Sequence, residues 1–549
     1  MRGWGRTLLL AAFPCLVLHL AFAAAPPEAT RAAIETIVAS SSIDGLRWPK
    51  FPDYQYILKA VYEPRGYAPL WLDAGRPIKQ ARDAIDVLRE ADTKGLDPRD
   101  YDAEFLDAEW RTLSAGRGSS DELARFDVAL SVGFVRNISD LHIGKVNPKH
   151  LDFGFDIDPK KYDLAVLVAG AVRDDRIREV VKEAEPSYTQ NSLLKEQLAR
   201  YKSLANDASV GPVELTPPLR PGAPLAAAPQ LARWLVALGD LAAIPDPPPA
   251  AYEGALVDGV KHFQDRHGLS PDGVVGATTA QALSVPAAQR VRQIELALER
   301  LRWVPPLEQG RVVFVNIPAF ELLAFDDVAG AQGPGLQMKV VVGRAMRTQT
   351  PVFTGVMKTV VFAPYWNVPQ SITRKEILPK LRSNPGYLAA QNMEIVSDGI
   401  PLSPSASNIA KLSSGAAQLR QGPGPKNALG RVKFLFPNSN SVYLHDTPTQ
   451  SVFDKTRRDF SHGCIRLSQP AALAEWVLRA EGGWDAGRVA QEMAGTTEKA
   501  VPLRQPIPVV IFYTTAVARR GGTISFFADV YGHDKTLERA LAAGYPYPP

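Results

Sequence analysis

Cysteine is nearly absent: 549 residues hold two, Cys15 and Cys464. That count excludes a cysteine zinc cluster. Charge of one sign is also lacking. The chain has 62 Lys and Arg against 58 Asp and Glu, a formal +4, and no block of like charge stands out. Nucleic acid is therefore a poor partner. Beyond the N-terminus no stretch reaches about 18 uninterrupted apolar residues, so nothing later reads as a membrane span. Internal repeats are missing too, which excludes a repeat array. What remains is ordinary for a soluble globular chain, 46% hydrophobic and 22% charged. Its length predicts about three to four domains.

The N-terminus carries Arg2 and Arg6, then the apolar stretch "LLLAAFPCLVLHLAFA". Ala21-Phe22-Ala23 is an A-x-A cleavage site, so residues 1–23 read as a secretory signal peptide. An uncleaved membrane anchor is the alternative. Pro14 before Cys15 argues against a lipidation signal. Cleavage after Ala23 removes both arginines, giving 4 − 2 = +2, and leaves Cys464 as the one cysteine. No internal disulfide can then form. In an oxidising compartment an odd thiol is a liability unless it has a use, and a buried inert cysteine is the alternative reading.

Residues 30–210 read as mostly helical. "ARDAIDVLREA" places Ile85, Val87 and Leu88 on one apolar side, and "RFDVALSVGFVRNISDL" reads as a buried helix. The proline-rich "VELTPPLRPGAP" marks a boundary. Beyond it, "EGALVDGVKHFQDRHGL" spaces Leu256, Val260 and Phe263 at helical intervals. His262 and His267 have no partnering cluster and are expected at a surface or edge. "QRVRQIELALERLRW" reads as an amphipathic helix with Val291, Ile294, Leu298 and Leu301 on its apolar face. From Arg311 the texture turns to short β-branched and aromatic runs, "RVVFVNI", "LQMKVVVG", "KTVVFAPYW", "RVKFLF" and "SVYLHD". "SITRKEILPKL" interrupts them as a helix that Thr373 and Glu376 can open with a capping box. Residues 383–430 are rich in turn formers and read as a long loop, either functional, as a lid or binding flap, or disordered. The fold class is multidomain α+β.

The sheet-rich part surrounds Cys464 with chemistry. A thiol with pKa near 8.5 needs a base or a positive field to act as a nucleophile at neutral pH. His445 ends an apparent strand in "SVYLHDT", 19 residues before Cys464, which leaves room for a returning loop. His462 is two residues from the thiol and need not point at it. His445 is thus the better base, and His462 the better backbone contributor to an oxyanion site. Gly463 permits a tight turn that aligns successive N–H groups. A paired imidazole predicts a thiol that labels substantially at about pH 6 to 7.

"HD" followed by "SHGCIRL" resembles the signature of the L,D-transpeptidases, bacterial enzymes that cross-link peptidoglycan. "VNIPAFELLAF", "VVVGR", "TPVF", "PYWNVPQSI", "ILPKL", "NALGRVKFLFPN" and "VYLHDTP" are similar to the catalytic domain of its large periplasmic subtype. "VKHFQDRHGLSPDGVVGATTAQAL" resembles a peptidoglycan-binding module, and "YAPLWLDAG" with "KGLDPRDYD" resembles the subtype's scaffold domain. The resemblance implies a helical scaffold domain at 30–210, a small helical module at 215–285, and a β-rich catalytic domain at 310–535 with an inserted lid at about 383–430. Ala363 departs from the pattern, which has Asn there.

Residue by residue, the resemblance makes Cys464 the nucleophile and His445 the base, then the acid. The Asp446 carbonyl orients the imidazole, its side chain mattering little, and N–H groups of His462, Gly463 and Cys464 form the oxyanion hole. Tyr443, Arg466 and Trp366 flank the substrate, with a structural ion pair as the other reading of Arg466 and a core or wall role for Trp366. The implied reaction passes a stem peptide through a Cys464 thioester, releases D-Ala and makes a 3→3 cross-link without metal or cofactor. Attack by water would make an L,D-carboxypeptidase, and attack by a lipoprotein lysine an outer-membrane tether. The implied partners are peptidoglycan stem peptides, with penicillin-binding proteins or other wall-synthesis factors as further candidates. The implied location is periplasmic, with association to inner membrane or wall. A cysteine peptidase or amidase is a rival, opposed by the order His445 then Cys464. A non-catalytic wall-binding protein is another.

Overall fold

A computed structural model describes residues 28–307, 310–327 and 333–544. The expected signal peptide at 1–23, with Cys15, lies outside the described residues. Among those described, no helix is long and apolar enough to cross a membrane.

The N-terminal region is helical where apolar residues recur at helical spacing. Helix Lys79–Arg89 buries Ala81, Ala84, Ile85, Val87 and Leu88. Helix Ser120–Ile143 opens with a complete capping box, Ser119 and Glu122 each accepting from the other's backbone N–H. It is buried nearly all round, Asp127, Arg136, Asn137 and Asp140 included, and forms the central rod of a core running from Ile34 to Ala184.

A second core belongs to the small module, and it draws on distant segments. Leu256, Val260 and Phe263 of helix Ala255–Arg266 pack with Leu231 and Leu235, as their spacing predicts. Leu194, Leu198 and Tyr201 of helix Thr189–Asn206 join them. So do Ala516, Ala518, Ile524 and Phe526 of the hairpin formed by Ala516–Arg519 and Thr523–Phe526. The sequence ranges placed that helix with the scaffold and that hairpin with the catalytic domain; by packing, both close the module. His267 is buried, not at a surface or edge. Its ring stacks on Phe263 at 3.9 Å, and burial holds its imidazole well below the ordinary range. His262 remains more exposed and meets Asp240 at 2.7 Å.

Helix Ala287–Trp303 buries Ile294, Leu298 and Leu301, with Val291 half-buried. It is not one-sided, because Glu299, Arg300 and Arg302 are buried too. Arg302 pairs with Glu299 at 3.1 Å and Arg300 with Asp534 at 2.5 Å. The helix serves two cores at once, Leu296 and Trp303 facing the barrel and Ile294 and Leu298 facing the module.

The barrel comes from the β-branched runs. Nine strands form one sheet in the order Asp459–Ser461, Leu336–Gly343, Ile465–Leu467, Leu444–His445, Val432–Leu435, Phe353–Phe362, Lys499–Phe512, Val312–Asn316, Glu321–Phe325. Antiparallel pairing of Glu321–Phe325 with Leu336–Gly343 closes the sheet on itself. Its interior includes Val313, Val315, Val340, Val342, Val360, Phe434, Leu444, Ile465 and Val510.

Between Phe353–Phe362 and its neighbour Val432–Leu435 the chain leaves the barrel. The sequence reads a long loop at 383–430; the structure has a folded subdomain that begins earlier. Strands Trp366–Val368, Gln418–Gln421, Met393–Ser397 and Ile400–Leu402 form their own sheet in that order. Val368, Ile377, Leu381, Leu388, Ile395, Leu412 and Leu419 make its core. The expected capping box is also replaced. The helix starts after Pro369, and the Thr373 hydroxyl donates back to the Pro369 carbonyl at 3.2 Å. Thr373–Ile377 is a π-helical turn, and Glu376 points elsewhere.

Candidate active site

Strand register assembles the site. Leu444–His445 pairs in parallel with Ile465–Leu467, Leu444 against Ile465 and His445 against Arg466. Its other edge pairs His445 with Lys433. Side chains alternate along a strand, so burying Leu444, Ile465 and Leu467 inside the barrel turns the residues between them outward. The ladder extends one step, Ile465 N–H donating to the Tyr443 carbonyl at 3.1 Å. Tyr443, His445, Cys464 and Arg466 therefore share the outer face.

His445 is 4% exposed. Its Nδ1 donates to the Asp446 carbonyl at 2.5 Å, which fixes the tautomer and leaves Nε2 as the basic nitrogen. Burial, then the positive charge of Arg466, pushes its pKa down to about 3, against the Asp446 hydrogen bond. The imidazole is neutral at ordinary pH.

Cys464 is half-buried, and burial pushes its thiol up. The N–H and hydroxyl of Tyr443 and the charge of Arg466 oppose that rise without cancelling it. This corrects the expectation of a thiol ionised near neutrality. The resting pair is a neutral thiol beside a neutral imidazole. Sγ lies 3.8 Å from the Ser441 carbonyl; among the described residues it has no hydrogen bond to His445. The two are diagonal neighbours on adjacent strands, and such bonds tighten when substrate binds.

The turn before the thiol is held by residues the sequence reading missed. Gly463 has φ +113°, a conformation that favours glycine. The Ser461 hydroxyl donates to the Cys464 carbonyl at 2.6 Å and accepts from the Gly463 N–H at 3.1 Å. The Thr350 hydroxyl donates to the Gly463 carbonyl at 2.8 Å, and Tyr531 holds Thr350 and Gly343 in turn. The Gly463 N–H is thus engaged, so it does not stand ready as an oxyanion donor in this structure. The N–H groups of His462 and Cys464 donate to no protein acceptor among the described residues. The only signal for Ser461 in the sequence was its place in "SHGC".

The other named residues fall as follows. The His462 side chain turns away from the thiol to Glu376, with Nε2 2.6 Å from the carboxylate. The Asp446 side chain matters more than expected. Its carboxylate accepts from Arg431 N–H at 2.8 Å and Thr447 N–H at 2.6 Å, and a Cβ at Gly430 would collide with it. Arg466 is half-buried and forms no ion pair among the described residues; its Nε is buried without an acceptor. Tyr443 packs its ring 5.8 Å from that of His445. Trp366 sits in the inserted sheet, half-buried against the insert's core, and is not among the groups that act on the thiol.

Residues 310–511 match the family model described as "L,D-transpeptidase catalytic domain". That stretch is similar to the catalytic domain of the L,D-transpeptidase family. Residues 57–198 match a "Scaffold domain" and residues 227–283 a "Putative peptidoglycan binding domain". A Haemophilus influenzae protein named "Putative L,D-transpeptidase" is 31% identical over 251 residues, 45% of this chain. The chain spans about half of that relative, 49% of its length. A crystal structure of an L,D-transpeptidase (residues 123–326) from Xylanimonas cellulosilytica is 16% identical, covering 54% of this chain and 98% of that one. Its TM-score is 0.18, and at that score the likeness carries no argument. The stretch matched by the catalytic-domain model thus contains the barrel strands, the insert, Cys464 and His445.

Proposed function

We propose that this chain is a cysteine-dependent L,D-transpeptidase that makes 3→3 cross-links in peptidoglycan. One observation carries the reading: within the L,D-transpeptidase domain, Cys464 shares an outer sheet face with His445, a buried neutral imidazole fixed at Nδ1. In the first step Sγ attacks the carbonyl joining a stem's diaminopimelate to its terminal D-Ala. The thiol proton passes to Nε2 of His445. The imidazolium, disfavoured by burial and by Arg466, then gives that proton to the departing nitrogen. The C–N bond breaks, D-Ala leaves and a thioester remains. The side-chain amine of a second stem attacks the thioester, passes a proton through His445 to sulfur, and the S–C bond breaks. The unengaged N–H groups of His462 and Cys464 are the donors suited to the oxyanion.

The matched module at 227–283 supports peptidoglycan as the partner, and the N-terminal segment supports export to the periplasm. The test incubates the chain from residue 24 with disaccharide-tetrapeptide. Mass spectrometry should find a thioester on Cys464, free D-Ala, and a dimer lacking one D-Ala; Cys464→Ala should give none of these. Cross-linking retained by purified Cys464→Ala would overturn the reading.

A further inference from the structure

A second arginine stands beside Arg466. Arg466 pairs with Val341 across an antiparallel ladder, which sets the end of strand Leu336–Gly343 opposite the nucleophile turn. The next residue, Arg344, is tied there by its backbone, N–H to the Ser461 carbonyl at 3.1 Å. The Thr348 hydroxyl donates to the same carbonyl at 2.9 Å, so the turn that begins at Arg344 is anchored to the turn that carries Cys464.

These backbone ties set Arg344 and Arg466 on the two segments that meet at the Cys464 turn, and the positive charge of Arg344 reaches Arg466. Neither arginine forms an ion pair among the described residues. The nearby carboxylates are committed: Glu376 to His462, Asp459 to Arg457, and Asp446 to the backbone. Arg344 is exposed, while Nε of the half-buried Arg466 is buried without an acceptor, so an anion that bridges the two would supply the missing partner.

We propose that Arg344 and Arg466 together bind the C-terminal carboxylate of the acyl donor, so that the enzyme selects the bond to a terminal residue over internal bonds. This rests on the acyl-transfer reading above. The chemistry fits in scale. The carboxylate of a leaving amino acid sits two bonds beyond the scissile nitrogen, and Arg466 is two residues along the strand from the thiol. A forked guanidinium pair matches a carboxylate's two oxygens. An internal peptide bond offers no charge at that place. Arg344 is the new member; it acts as a specificity residue at the rim.

The test compares two tetrapeptide donors on the full exported chain, one with a free C-terminal carboxylate and one with a carboxamide. Acylation of Cys464 is followed by mass spectrometry, giving kcat/KM for each. The wild type should prefer the carboxylate. Arg344→Gln should cut kcat/KM for the carboxylate donor by about 10–100-fold, mostly through KM, and leave the carboxamide donor nearly unchanged. Arg344→Lys should fall between. A carboxylate-to-carboxamide ratio that Arg344→Gln leaves unchanged would overturn the proposal while the acyl-transfer reading stands. If wild-type Cys464 reacts with iodoacetamide but with neither donor, the acyl-transfer reading fails and this one falls with it.

Discussion

Nε2 of His462 donates to the Glu376 carboxylate at 2.6 Å, joining the inserted subdomain to the turn that carries Cys464. The pair spans 86 residues of sequence and rises from a π-helical turn, a local irregularity that re-aims side chains. Both partners are partly exposed, 32% and 42%, so the pair contributes about 0–1 kcal/mol. Breaking it should therefore slow acylation by up to about fivefold. Glu376→Gln and His462→Gln should have similar effects, and the double variant no more than either. A double-mutant cycle on the acylation rate checks this; additive effects would mean the two residues act separately.

The thiol should titrate late. Iodoacetamide reacts with the thiolate, so its rate against pH reads the pKa of Cys464. The midpoint should lie above the ordinary thiol value, because burial outweighs the groups that favour the thiolate. Tyr443→Phe and Arg466→Gln should each move it higher, since both residues favour the thiolate. A midpoint below the ordinary value would mean a resting thiolate–imidazolium pair.

Acid should destabilise the fold through four histidines. Burial holds the folded pKa values of His445, His267, His533 and His142 below the ordinary 6.5, His445 at about 3 and His533 at about 4. As pH falls through about 6.5 the unfolded chain takes up these protons and the folded chain does not. Stability is therefore present above about 6.5 and is lost on acidification, by up to about 1.4 kcal/mol per pH unit for each histidine. For His445 the loss ends near pH 3. Urea unfolding between pH 7 and 5 measures the slope, and His445→Gln should remove about a quarter of it.

The insert should be separable from the barrel if it is cut at the right place. Ala363 N–H donates to the Arg431 carbonyl at 2.9 Å, so a short turn can replace residues 364–430. Cutting at 383 would instead split the insert's own core. The shortened chain should keep the barrel and still form a thioester. If the insert acts as a lid that excludes water, its loss should raise the ratio of hydrolysed tripeptide to cross-linked dimer. An unchanged ratio, with activity retained, rules the lid role out.

The sequence was most readable where one signal dominated. Strand Leu336–Gly343 coincides with the run "LQMKVVVG", and Ile85, Leu256 and Val260 are buried as their spacing predicts. Elsewhere, distant contacts decided. Thr373 and Glu376 have capping-box spacing, but Pro369 moves the helix start and His462 captures the carboxylate. The insert's strands are short and alternate weakly, so they read as loop. Ser461 is one unremarkable serine until its hydroxyl is seen bridging Gly463 and Cys464. Ala363 has φ +44°, a left-handed conformation that Asn adopts more readily than Ala. That gives a physical reason for the Asn of the family pattern, which this chain lacks.

The module's core has a consequence for how the chain is made. Gln197 and Arg200 donate to the Gly522 carbonyl at 3.2 and 2.9 Å across more than 300 residues, and Ile524 and Phe526 complete the packing begun by Leu194 and Leu198. A ribosome or export channel delivers the N-terminal segments first. The module cannot close its core until almost the last stretch of polypeptide arrives. Until then its apolar face is open to water and to other chains, the condition under which multidomain proteins aggregate or need a holding chaperone. Truncations that stop short of the hairpin should therefore be poorly soluble, even though they contain every residue of the module.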